Sequence, residues 1–216
     1  MKKKQAALAA AAILAGILMT GCGQKAPAAG WEANENSIYI SDALEVESSL
    51  IYTSEKANEL YTQDGLTSFA KEKVLAYNIA QGAAQASENT EGSDVLPVAL
   101  KSCTLEGQTG KLILDYRTPE DFVKFARENG DNTNTVTELS VADMSGLPED
   151  LKFTTPDGKS VDIAEVKKLA DGHVVVVSGA ATVYTEGKIA YISEGMTMKR
   201  ENAVQTAEAE NCIVFK

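Results

Sequence analysis

The chain has 216 residues, 44 % of them hydrophobic, which suits one domain or two small ones with a real core. Its formal net charge is −11, and the early lysines Lys2, Lys3 and Lys4 precede the first acid, Glu32, so the remainder is more acidic still. Such a surface repels nucleic acid, whose binding rests on Lys and Arg neutralising phosphates, and it repels anionic lipid headgroups as well.

The first element in chain order is an address. Lys2 to Lys4 form a basic n-region, and Ala6 to Met19 is an apolar h-region of 14 residues, short of the ~20 that span a bilayer. The run ends in Leu18-Met19-Thr20-Gly21-Cys22. This combination resembles the type II signal peptide and lipobox of bacterial lipoproteins, with Met19 in place of the usual Leu. The resemblance implies that Cys22 receives a diacylglyceryl group as a thioether and that cleavage between Gly21 and Cys22 makes Cys22 the first residue. Two acyl chains anchor stably where one binds only marginally. The expected location is therefore the extracytoplasmic face of the cell membrane, with membrane lipid as the partner through acylated Cys22. Residues 1–21 are expected to be signal peptide and 22–36 a flexible tether of small residues. A single α+β domain is expected over 37–216. Trp31, the only Trp, interrupts the tether and is expected to dock on the domain's edge.

Within the domain, SIYI from Ser37 and VESSLIYT (Val46–Thr53) read as a hairpin. Thr62 is a plausible N-cap for a helix with Asp64 in its first turn. Leu66, Phe69, Ala70, Val74 and Tyr77 give that helix one apolar face, and it is expected to fray through NIAQGAAQAS. Residues Leu96 to Tyr116 read as a second hairpin centred on Glu106–Gly110, with Leu112, Leu114 and Tyr116 on one face. Thr118 caps a second helix, Pro119 takes its first position, Asp121 stands where a capping-box acid would, and Gly130 can end it. TNTVTELS reads as a strand. Further on, TPDG (Thr155–Gly158) marks a turn between strands at Leu151–Thr154 and Ser160–Ile163. The competing and preferred assignment is a short helix, Ile163 to Leu169, capped by Asp162. The last fifth reads as short strands in an antiparallel meander, with HVVVV covered on both faces. The fold class expected is α+β: an antiparallel sheet, from hairpins plus the C-terminal meander, with two main packed helices.

The search for chemistry mostly excludes. One histidine, His173, removes two-His metal motifs, and no G-x-S-x-G elbow accompanies its sequence neighbours Asp171 and Ser178. No phosphate-binding Gly-rich loop and no C-x-x-C occurs, and no cofactor or metal is expected. Cys103 and Cys212 both fall on expected strands. Outside the cytoplasm a disulfide between them is allowed, and two buried free thiols are the other reading. Glu120-Asp121, Glu149-Asp150 and Asp94 read as solvated surface, and DNTNTVTE (Asp131–Glu138) as a loop lacking the EF-hand spacing. The domain body resembles uncharacterised lipoproteins of anaerobic Gram-positive bacteria, which implies no activity. The expectation is a non-catalytic binding or structural module with an unidentified protein or small-molecule partner. An extracytoplasmic carboxylate-dependent hydrolase is the alternative. A transport solute receptor is a third class, for which the chain is short.

Overall fold

The computed structural model of the chain describes Trp31, 33–54 and 62–216. The expected signal peptide, its cleavage site and the lipidation residue Cys22 lie outside the described residues. The order is β1 (Ser37–Ile40), β2 (Val46–Thr53), α1 (Gln63–Ala80), β3 (Val98–Glu106), β4 (Thr109–Tyr116), α2 (Pro119–Glu128), β5 (Glu138–Asp143), β6 (Phe153–Thr154), β7 (Ser160–Val161), α3 (Ile163–Val166), β8 (His173–Ser178), β9 (Thr182–Thr185), β10 (Ile189–Ser193), β11 (Thr197–Arg200), β12 (Ala203–Gln205) and β13 (Glu210–Phe215). This is an α+β fold with two main helices.

Among the described residues the strands divide into two sheets. The first runs β11-β12-β9-β1-β2-β4-β3, and the second β5-β8-β13-β10-β6-β7. The first is mixed, because β1 pairs parallel with β9, and every pairing in the second is antiparallel. The C-terminal strands are shared between the sheets instead of forming one meander: β8, β10 and β13 belong to the second, β9, β11 and β12 to the first. The reason is steric and local. Gly179, at φ +114°, lets the chain leave β8 for β9, and Gly187 lies so close to Lys216 that a Cβ would stand 2.4 Å from its carbonyl carbon. As expected, β8 is covered on both faces: Val175 and Val177 join the central core and Val174 joins a second cluster.

Apolar residues form three layers. The central one takes Ile38, Val46, Leu114 and Val183 from the first sheet, Val175, Ile192 and Ile213 from the second, and the buried stripes of both helices. Behind the second sheet, Leu147, Phe153, Val166, Cys212 and Val214 make another layer. Behind the first sheet, Trp31 and Ala33 pack on Tyr39, Ile113 and Tyr184. Packing therefore begins before the expected boundary at residue 37. Trp31 stacks on Tyr39 with ring centroids 5.1 Å apart, and its indole N–H donates to Ser37 Oγ at 3.2 Å. It covers a sheet face, not an edge. Within the expected tether, Trp31 and Ala33 are buried, because an aromatic side chain removed from water offsets the entropy of ordering the residues that carry it.

The helices start where their caps say. Thr62 Oγ1 accepts the Gly65 N–H at 3.0 Å, and Thr118 Oγ1 accepts that of Asp121 at 3.1 Å. Two details of α1 differ from the periodicity. Phe69 is 56 % exposed and stands outside the apolar face, while Asn78 is fully buried. Asn78 explains why the helix continues to Ala80. Its amide donates to Val98 O (2.8 Å) and Ala86 O (2.9 Å), and its carbonyl accepts the Val98 N–H (3.0 Å). At the other end of α1, Gln63 donates to Cys103 O (2.9 Å) and accepts the Leu105 N–H (2.7 Å). These two amides partner backbone groups of Val98, Cys103 and Leu105 on the open side of β3, an edge strand. The strand expected at TNTVTELS begins later, at Glu138, because Asp131 and Asn134 side chains hold the preceding residues in a loop. The two readings around TPDG are both realised: β6 and β7 pair across the turn, and Asp162 then caps α3, accepting the Ala164 N–H at 2.8 Å.

Candidate functional site

Side chains alternate across a strand, so register decides which residues share a face. On the outer face of the first sheet, Tyr184 of β9 lies opposite Tyr39 of β1, Tyr39 opposite Glu47 of β2, and Glu47 opposite Asp115 of β4. A register shift in β3 between Leu100 and Ser102 lies beside this row. From that position Lys101 Nζ reaches Glu47 Oε1 at 2.6 Å and Asp115 Oδ1 at 3.5 Å.

The row is dry. Glu47 is 6 % exposed and Tyr39 1 % exposed. Glu47 Oε2 and Tyr39 Oη are both buried without a hydrogen-bond partner. Burial pushes the Glu47 carboxyl above the ordinary glutamate range, with Asp115 and Glu45 adding to the rise against the pull of Lys101. Burial also works against the Lys101 ammonium, but the bond to Glu47 and the charge of Asp115 outweigh it and hold Lys101 above its ordinary value. Two carboxylates thus favour the charged form of Lys101. Burial, followed by the charges of Glu186 and Glu47, raises the Tyr39 phenol as well. Beside this row the Glu35 carboxylate accepts from Tyr184 Oη at 2.7 Å and from Lys199. These bonds outweigh burial and hold Glu35 below the ordinary range.

A separate small cleft opens near the start of β1, lined by Asn36, Ser48, Ser49, Asp131, Thr133 and Asn134 among others. Its volume is about 10 Å³, room for about one water. Neither Glu47 nor Lys101 lines it. Asp131 has its oxygens engaged within the loop, accepting the Thr133 N–H at 2.8 Å and the Asn134 amide at 2.8 Å. Among the described residues no group of three or more His, Cys, Asp or Glu is arranged to hold a metal ion.

The residues singled out in the sequence do not converge. Cys103 and Cys212 are both buried and are not bridged to each other. The cause is side-chain parity. Cys103 joins the central core, whereas Cys212 points with Val214 into the layer behind the second sheet. Burial raises both thiols, Cys212 to about 12. His173 opens β8 with its ring 5.2 Å from Phe215 and its Nδ1 buried without a partner. Ser178 ends the same strand, about 16 Å away at ~3.3 Å per residue, so the two share no site. Of the acidic pairs, Glu120 is exposed and pairs with Lys124, while its neighbour Asp121 is buried and accepts from Tyr77 Oη at 3.2 Å. Glu149 pairs with Lys167 on the surface.

Sequence reasoning missed Tyr39, Glu47, Lys101 and Asp115. The available signal was parity: in IYI, VES and LDY each of the three β1, β2 and β4 residues alternates with an apolar or inward neighbour. Parity alone does not reveal that the outer face is covered or which strands adjoin. No family model, curated protein or solved structure matches the chain.

Proposed function

We propose that this chain is an envelope lipoprotein, anchored through acylated Cys22 in the outer leaflet of a bacterial cell membrane, whose α+β domain is a non-catalytic binding or structural module. The observation that carries the reading is the sequence Leu18-Met19-Thr20-Gly21-Cys22 after a basic, then apolar, leader. The domain's own features are consistent with it. Among the described residues no helix is long and apolar enough to cross a membrane. The thiols are buried and raised, and the lysine of the buried row is locked to two carboxylates. Metabolic labelling with a clickable fatty acid tests the anchor. Wild type should be labelled and Cys22→Ser should not; equal labelling of both would refute it.

One observation favours the hydrolase alternative: Glu47, raised by burial, lies opposite a second carboxylate, Asp115. The non-catalytic reading is preferred because Glu47 is buried away from the cleft and its carboxylate is bound by Lys101. Turnover of a glycoside or ester panel, abolished by Glu47→Gln, would reverse that preference.

A further inference from the structure

Asn129 is the one Asn in the chain that is followed by Gly. An Asn side chain carries an electrophilic carbonyl carbon close to the next backbone nitrogen, and Gly offers that nitrogen with no side chain beside it. The dipeptide stands at the end of α2 for a conformational reason. Asn129 is the C-cap, at φ −96° and ψ 7°, and Gly130 follows in the left-handed region at φ +66°. The Gly130 N–H donates to Arg127 O at 3.2 Å and the Asp131 N–H to Ala126 O at 2.9 Å, the paired bonds of a Schellman motif. The Asn129 side-chain amide donates to Phe125 O at 3.0 Å. The nitrogen that would attack and the amide that would leave are thus both held as donors by the same helical turn. Phe125 seats that turn: it is buried, with its ring edge-on to Tyr77 at 5.4 Å. Asn129 itself is exposed, so water reaches it.

We infer that Asn129 is a modification site latent in the fold: when the last turn of α2 opens, Gly130 N closes on Asn129 Cγ, and the product disables the cap. In that step the N–Cγ bond forms and the Cγ–Nδ2 bond breaks. Ammonia leaves, taking the Gly130 proton through solvent, and the ring that remains is a succinimide. Water then adds to one of its two carbonyl carbons and opens it, giving aspartate from one and isoaspartate from the other. Either product works against the cap. Aspartate cannot donate to Phe125 O, and it adds negative charge between Glu128 and Asp131 at a helix C-terminus, where the macrodipole disfavours it. Isoaspartate adds a methylene to the backbone path, which carries the Gly130 and Asp131 N–H groups away from Arg127 O and Ala126 O. Asp131, with Thr133 and Asn134, lines the cleft beside β1, so the change reaches that cleft as well. The site lies in the folded domain, and its test is independent of the anchor.

The Schellman turn calls for Gly at this place, and the same Gly makes the chain reactive; the folded turn then holds the reaction back. Incubating the full chain in mildly alkaline buffer, native and in guanidinium chloride, separates these two effects. The peptide holding Asn129 is followed by mass spectrometry, with fragmentation that distinguishes aspartate from isoaspartate. Conversion at Asn129 should run about tenfold or more faster in the unfolded chain, because the native state must first break the bonds to Arg127 O and Phe125 O. Equal rates in the two states would show that the cap does not hold the site closed, and an unfolded chain that stays unconverted at Asn129 would remove the chemistry. Either result overturns the proposal. Asn129→Gln retains an amide but has to close a larger ring, so the same peptide should remain unconverted over that time; equal conversion there would overturn the assignment to Asn129. Converted wild type, refolded, should unfold at a lower denaturant concentration than fresh protein, and an unchanged midpoint would overturn the loss of the cap.

Discussion

Asn78 does the work of a strand with a single side chain. It bonds the N–H and C=O of Val98 and the C=O of Ala86 while fully buried. Asn78→Ala would strand those groups without water, and each buried orphan costs about 1–3 kcal/mol. A loss of about 2–4 kcal/mol in urea denaturation is expected, whereas a change below about 0.5 kcal/mol would mean that solvent reaches Val98. Some of this scale was readable in advance. Thr62, Thr118 and Pro119 announce their roles because a cap is decided within four residues, whereas Asp121 is buried and accepts from Tyr77 Oη and Thr118 Oγ1. Asn78 was not readable, because its partners are 8 and 20 residues further on. Glu47 and Lys101 were hidden for the same reason, separated by 54 positions and joined only by register.

Among the elements, the turn at Gly179 is the least tolerant. Its φ of +114° disfavours any Cβ, and an added Cβ would stand 2.4 Å from Thr135 O. The clash is with backbone, so no side chain can move aside. Two neighbours fix that backbone: Thr135 N–H donates to Ala180 O at 3.0 Å, and Thr206 Oγ1 donates to Gly179 O at 2.7 Å. Gly179→Ala should cost at least about 2 kcal/mol by thermal or chemical unfolding, since both strain and a lost turn contribute. Gly187→Ala would meet backbone as well, with the Lys216 carbonyl carbon 2.4 Å from an added Cβ and that residue bonded to Lys188 in both directions. Element type was legible wherever period and punctuation agreed, as in both hairpins and both helices. Boundaries failed where a side chain competed with the backbone: Asp131 and Asn134 delay β5, and Asn78 prolongs α1.

For the whole molecule, sheet membership was the part the sequence could not disclose. The parallel pairing of β1 with β9 joins Ile38 to Val183, and no local pattern records such a partner. Of the three core layers, the two on either side of the second sheet each hold one cysteine. Cys103 is in the central layer and Cys212 in the layer behind the second sheet. Both thiols should stay unreactive toward a thiol reagent in the native protein and become reactive on unfolding without reductant. Simultaneous exposure would show that the layers unfold as one unit. Two reaction phases would show that the layer around Cys212 opens independently.

The seating of Trp31 on Tyr39 has a mechanical meaning. Tension arriving through the residues before Trp31 enters the molecule at the head of β1, an interior strand bonded to β2 on one side and β9 on the other. Ladder bonds lie across the strand, so a pull along β1 loads both ladders together in shear and not one bond at a time. The stacked indole and the Glu35 contacts with Tyr184 and Lys199 take the first strain before β1 does. On the proposed anchoring through Cys22, the load thus enters near the middle of the larger sheet, where β1 is braced on both sides.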